Sequence, residues 1–345
     1  MNRDDFVFSV PELRDYLVNK GVAQESIDTM LGGEHQFNLM IPKYYLDLIE
    51  WNDANDPLAK MVVTSDMEKD GKDYEMEDPI GDKPHEPVPG VIHRHRDRCL
   101  LMLTNICAVH CRFCFRKNLL ETNRPDFEKS ISYIRDHEEI WEVILSGGDP
   151  FMFTDHFMAA VIKKLKEITH VKMMRFHTRT PVVYPARVTP EFTALLENAK
   201  PYTIVFHINH VREITPDFCR GVRDLQKSGA ILLSQTVLLK GVNDSVEELE
   251  ALFRGLLQIN IKPYYLHHLD PAAGTHHFRI SVEQGKQIYR ILRTRISGVG
   301  LPTYVIDVPG GAGKFPVMEF EKTGEKTYAL KKADGTTIEY IDHSL

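Results

Sequence analysis

Three of the five cysteines in this 345-residue chain, Cys107, Cys111 and Cys114, form a C-x3-C-x2-C group. Thiolates this close can converge on one metal centre, and three of them leave a four-iron cluster with one iron that lacks a protein ligand. Such an iron can bind substrate or cofactor. The spacing alone equally admits a zinc site completed by His110 or a distant residue, because Cys3His is a common structural set. No second C-x2-C pair is present to complete a zinc ribbon, and Phe113 can shield the last cysteine. Cys99 and Cys219 have no partner in sequence and read as small buried apolar residues. A second candidate is Lys314, which follows Pro309, Gly310, Gly311, Ala312 and Gly313. A nucleotide P-loop needs G-x-x-x-x-G-K and then Ser or Thr, but Phe315 follows and the first glycine is misplaced. A lysine held on glycines beside an apolar wall has a lowered pKa and can form a Schiff base; the plainer alternative is a solvent-facing loop lysine.

These residues sit on a regular pattern of elements. Apolar, β-rich runs at 99–106, 142–145, 171–176, 202–207, 231–239 and 263–269 alternate with amphipathic stretches. Thr189-Pro190 and Thr215-Pro216 place an N-cap before a first-turn proline, while Ser245 with Glu248 and Ser281 with Gln284 have capping-box spacing. Six βα units in order predict a parallel sheet with helices outside, curled into a full or partial barrel or opened into a doubly wound sheet. Polar residues cluster where the runs end, which is where both architectures bind ligands. Residues 1–64 read as an N-terminal helical segment that caps the domain or mediates association, and 65–90 as an acidic, proline-broken linker or surface loop. Residues 91–300 carry the βα units; 301–345 hold the lysine loop and a hairpin around Asp334-Gly335.

Composition narrows the function class. With 43% apolar and 26% charged residues the balance is that of a globular protein. No stretch approaches the roughly 18 unbroken apolar residues of a membrane span, and the start is acidic, so a cytoplasmic protein is expected. Lys and Arg total 42 against 49 Asp and Glu; the net charge of -7 opposes broad attraction to nucleic acid or anionic lipid.

The segment 107–114 resembles the C-x3-C-x-aromatic-C signature of radical S-adenosylmethionine (SAM) enzymes, whose fold is a partial (β/α)6 TIM-like barrel. In that superfamily the open iron chelates SAM, and an electron from the 4Fe-4S cluster cleaves it to a 5'-deoxyadenosyl radical. Ser146, Gly147, Gly148 and Asp149 resemble the element that receives the SAM amino group. Further stretches at 94–98, 145–149, 207–210, 235–239, 263–265 and 270–314 together resemble the lysine 2,3-aminomutase family, which also uses pyridoxal 5'-phosphate (PLP), over roughly 90–340. Several ordered motifs are more specific than any one. The resemblance implies that Lys314 is the PLP Schiff-base lysine and that Arg116 holds the substrate carboxylate, a job suited to a guanidinium fork. It implies that Asp270 and Asp307 receive the distant amino group of lysine. Two carboxylates at an apolar barrel end would indeed repel unless a cation lay between them. Arg94 and Arg98 match positions near the PLP phosphate, and His207 and Gln235 match residues near the cofactors. Each also has a plainer reading: caps or turns for the aspartates, a charged face for the arginines, satisfied core groups for the other two.

The implied activity is an isomerase interconverting L-lysine and β-lysine, supplied with electrons by a flavodoxin or ferredoxin. Longer members of the family bind zinc between subunits through C-terminal cysteines; here no cysteine follows Cys219 and Ser245 stands at the matching central position. A homo-oligomer without intersubunit zinc is therefore expected. The short length and the Cys114-Phe115-Arg116 sequence also resemble the bacterial lysine aminomutase branch that supplies β-lysine for modifying elongation factor P, whereas the glycine–lysine loop is nearer the longer enzymes. The alternatives are the same chemistry on arginine or glutamate, and a non-catalytic zinc-binding protein. The aspartate pair argues against glutamate, because like charges would meet.

Overall fold

The computed structural model describes residues 2–31, 39–120, 124–332 and 334–344. A short pair, β1 (Phe6–Val7) with β2 (Ile41–Pro42), lies in the N-terminal segment. The main sheet has nine strands in the spatial order of the chain: β3 (Val91–His95), β4 (Arg98–Met102), β5 (Glu142–Ser146), β6 (Met173–Thr178), β7 (Tyr202–His207), β8 (Ile231–Leu238), β9 (Lys262–His268), β10 (Thr303–Val308) and β11 (Gly313–Pro316). From β4 to β10 every pairing is parallel. The edges β3 and β11 run antiparallel to their neighbours. The six expected βα units are therefore present as a partial barrel. The run that ends in the glycine–lysine loop adds a seventh parallel strand.

The crossovers are helices because their sequences start and bury like helices. Thr189 and Thr215 cap Pro190–Leu196 and Pro216–Lys227 with a proline in the first turn, and Ser245 and Ser281 accept from the amides of Glu248 and Gln284 at the starts of Val246–Gln258 and Val282–Arg295. Asp155–Lys166 buries Met158, Val161, Ile162 and Leu165 on one face. Such burial contributes about 2 kcal/mol per side chain, and it is this rather than propensity that holds the helix to the sheet. Strand β8 shows how the sheet sorts its faces: Leu232, Ser234, Thr236 and Leu238 are buried on one side, while Gln235 and Val237 face the barrel cavity. The hairpin expected near the end forms as β13 (Thr327–Lys331) with β14 (Thr337–Ile341), flanked by β12 (Glu321–Lys322).

Two N-terminal segments pack against the residues that surround the cavity end of the barrel. Residues 39–62 pack on it through Tyr45, whose hydroxyl donates to Glu213, and through Met61, whose carbonyl accepts from the Arg112 amide. The acidic stretch 65–90, read as a linker or surface loop, is largely exposed but buries a few of its acids. Glu68 and Asp82 are 4% and 3% exposed, and Glu75 accepts the amides of Gly274, Thr275 and His276. Glu68 grips Arg112 through both oxygens, at 2.9 and 2.6 Å. Glu68 and Asp82 are ion-paired and Glu75 is held by backbone amides, with partners 12 to 201 residues away in sequence.

Candidate active site

Strand β4 ends at Met102 and the chain turns into the cysteine loop, while the β5 loop lies directly against it. The Gly148 amide donates to the Thr104 carbonyl and the Asp149 amide to that of Ile106, both at 2.8 Å. This contact explains the two glycines. A Cβ on Gly148 would sit 2.5 Å from the Ile106 carbonyl oxygen, and at Gly147, where φ is +99°, a Cβ would come within 2.7 Å of the Met102 side chain. The Asp149 carboxylate turns inward: it accepts the Thr178 hydroxyl and the amides of Phe151, Arg179 and Thr180, tying the β5 loop to the β6 loop.

The result is a cavity of about 330 Å³ at the carboxyl ends of the strands. Cys107, Cys111 and Cys114 all line it, with Ser146 to Asp149, Arg116, His207, Gln235 and Asp270. Burial pushes the Cys111 thiol up to about 11, and it raises Cys107 and Cys114 as well; the sulfurs' mutual repulsion adds to the rise at Cys107 and Cys111. Such thiols become thiolates readily only when a metal shares their charge. Among the described residues no three Cys, His or carboxylate groups are arranged around a single metal ion.

Arg116 is 8% exposed, with Nε on Asp82 at 2.9 Å and Nη1 near the Ser146 hydroxyl at 3.4 Å. Asp82 also accepts from Arg94 Nη2 at 3.2 Å, so one buried carboxylate orients two guanidinium groups. Arg94 further donates to the carbonyls of Ile80 and Gly81, and its Nε is buried with no partner among the described residues.

The lysine loop departs from expectation in one respect. Lys314 is not set against an apolar wall. It is the second residue of β11, directly across from Asp307 on β10, and its Nζ contacts the Asp307 carboxylate. Burial raises Asp307, but Lys314 and His267 outweigh it and hold the carboxyl below its ordinary range. Burial first, and then the Asp307 charge, lift Asp270 to about 7. The two aspartates and the lysine thus form one electrostatic unit. Lys314, Asp307, Arg94 and Arg98 do not line the cavity itself. Arg98 starts β4, at the opposite end of that strand from the cysteines, and pairs with its neighbour Asp97 at 2.8 Å.

Three histidines inside the barrel have no counterpart in the sequence reading except His207. His207 Nε2 lies 3.4 Å from His177 Nδ1, and His267 follows on β9. Burial depresses all three, His207 and His267 to about 3, so they are neutral hydrogen-bonding groups at pH 7. His177 was legible in principle: it is the last residue but one of β6, directly after the apolar run at 171–176, as His207 is the last residue of β7. Asp82, Glu68, Arg179 and Glu213 carried no local signal.

A parallel barrel with three cysteines after its first parallel strand defines a class, and residues 101–253 match the radical SAM superfamily. Three relatives named L-lysine 2,3-aminomutase match almost the whole chain. That of Clostridium subterminale is 38% identical over 315 residues, covering 90% of this chain and 75% of its own. That of Haemophilus influenzae is 40% identical over 296 residues (84% and 88%), and that of Escherichia coli 34% over 300 (86% and 87%). The chain belongs to the lysine 2,3-aminomutase family and is a radical SAM isomerase. Membership brings a 4Fe-4S cluster, SAM and PLP; three thiols that line one cavity would hold the cluster, and the Lys314 amine and an Arg94 Nε that has no partner among the described residues are the groups that would serve PLP. Among the described residues no helix is long and apolar enough to cross a membrane.

Proposed function

We propose that this chain interconverts L-lysine and L-β-lysine in the cytoplasm, with Cys107, Cys111 and Cys114 holding the cluster and Lys314 holding PLP. The bound cofactors supply hydrogen abstraction and the shift of nitrogen between C2 and C3. The chain's own residues bind, orient and exclude water. The observation that carries the reading is the Asp270–Asp307 pair. In the protein alone the Lys314 ammonium compensates Asp307. Once that amine is engaged elsewhere, the two interacting buried carboxylates lose their Lys314 cation and keep only the more distant charges of Arg94, Arg116 and Arg279, so the distal ammonium of lysine restores the balance. Arg116, oriented by Asp82 and Ser146, takes the substrate carboxylate at the cluster side of the cavity. A cation receiver at one end and an anion receiver at the other fix the carbon chain between them, and such positioning is the protein's main contribution to rate. Asp82 and Glu68 in residues 65–90 hold Arg116 and Arg112, which line the cavity, in place.

A glutamate side chain would add a third negative charge to the pair and is disfavoured on the same physics. A flavodoxin or ferredoxin serves as electron donor, and the chain is a homo-oligomer without intersubunit zinc. The test is anaerobic incubation of the reconstituted protein with SAM, PLP and dithionite, offering L-lysine, L-arginine and L-glutamate separately. A β-amino product from lysine alone is expected; turnover of glutamate in preference to lysine overturns the assignment.

A further inference from the structure

A guanidinium that no protein group fully accounts for stands in the cavity wall beside the cysteine loop. Arg179 follows β6 and is 5% exposed. Its Nη2 donates to Glu213 Oε1 at 2.8 Å and lies 3.4 Å from the Tyr45 hydroxyl. Its Nε and Nη1 are buried with no partner among the described residues. Leaving such donors unmet costs on the order of 1–3 kcal/mol each, so an acceptor outside the protein is implied. Arg179 lines the same cavity as the three cysteines, and its guanidinium carbon sits 5.5 Å over the ring of Phe113, which lies between Cys111 and Cys114 in sequence. Among its charged neighbours a Cys111 thiolate acts on it most strongly, ahead of Glu213.

Glu213 is equally fixed. It is wholly buried; Oε1 takes Arg179 and Tyr45, while Oε2 takes the amides of Asn209 and His210. The geometry points to Arg179 as a positioning charge that sets the reduction potential of the cluster on Cys107, Cys111 and Cys114, with Glu213 partly offsetting it. This rests on the reading that those cysteines hold a four-iron cluster. One-electron reduction by an external donor adds a negative charge to the cluster and breaks no bond. A fixed cation beside it, in a buried site of low dielectric, stabilises the reduced form and raises the potential. The buried carboxylate limits that effect and keeps the arginine from being an uncompensated charge in the core.

The test is a redox titration of the reconstituted holoprotein followed by EPR, with iron content measured on each sample. Arg179→Gln lowers the reduced-to-oxidised ratio at fixed ambient potential roughly tenfold, equal to a ~59 mV shift for a one-electron couple. Arg179→Lys keeps the charge and stays near wild type, and Glu213→Gln shifts the ratio the other way. Unchanged potentials in Arg179→Gln and Glu213→Gln, with iron intact, overturn the inference. If Arg179→Gln fails to retain iron, Glu213→Gln decides: an upward shift supports the inference and an unmoved potential refutes it. A wild-type protein with no four-iron signal would instead overturn the cluster reading, and the inference with it.

Discussion

Replacing Asp307 by asparagine removes one carboxylate from the pair proposed to receive the distal ammonium while keeping its size. Asp307 is 5% exposed, so its charge acts with little screening, and its direct partner among the described residues is Lys314. A hydrogen bond to a charged group contributes about 1.5–3 kcal/mol, and each 1.4 kcal/mol is a factor of ten in affinity. The KM for lysine should therefore rise roughly 10- to 100-fold. The distal amine is bound alike before and during reaction, so kcat should change far less than KM. The assay is steady-state kinetics with lysine and with L-2-aminohexanoate, which lacks that amine, on protein whose PLP content has been equalised. Only lysine should weaken. An unchanged KM for lysine, or an equal loss with both substrates, refutes cation recognition by the pair.

Asp270, lifted to about 7 by burial and then by Asp307, receives a cation only as a carboxylate, so lysine affinity should fall as pH drops below about 7 and Asp270→Asn should remove that limb of the KM profile. Stability has a matching sign: a carboxyl whose folded pKa exceeds its ordinary 3.8 contributes stability below that value and loses it as pH rises towards about 7, so in thermal melts Asp270→Asn should gain on wild type at pH 8 relative to pH 4. Glu68→Ala leaves Arg112 buried without its two-oxygen partner, and loss of one half of such a pair costs about 3–5 kcal/mol. Denaturant unfolding should show that loss, and a change below about 1 kcal/mol would make the pair dispensable. Lys314→Ala should no longer retain PLP through desalting, read by absorbance, while iron content stays at wild type; retention of PLP would reassign the lysine.

Features with a local physical cause were legible in the sequence. Thr189, Thr215, Ser245 and Ser281 cap helices through contacts three residues away, and the apolar runs between them became parallel strands in their written order. Cys107, Cys111 and Cys114 share one loop, so their convergence followed from spacing, and Gly147 and Gly148 mark where that loop is touched. What escaped was long-range pairing. Asp82 looked like one more acid in a solvated run because Arg94 and Arg116 meet it only after the chain folds back over the barrel. Glu68 with Arg112 and Glu213 with Arg179 failed for the same reason. Lys314 was found, but its setting was misjudged: the antiparallel register of β10 and β11 puts a carboxylate opposite it.

The most direct test of the account follows the nitrogen itself. Reconstituted protein, verified to carry about four irons per chain, as a full cluster requires, and one PLP, is incubated anaerobically with SAM, dithionite and lysine labelled with 15N at the α-amino group. NMR should show the label on C3 of 3,6-diaminohexanoate. Loaded protein that cleaves SAM yet leaves the label on C2 would contradict the assignment.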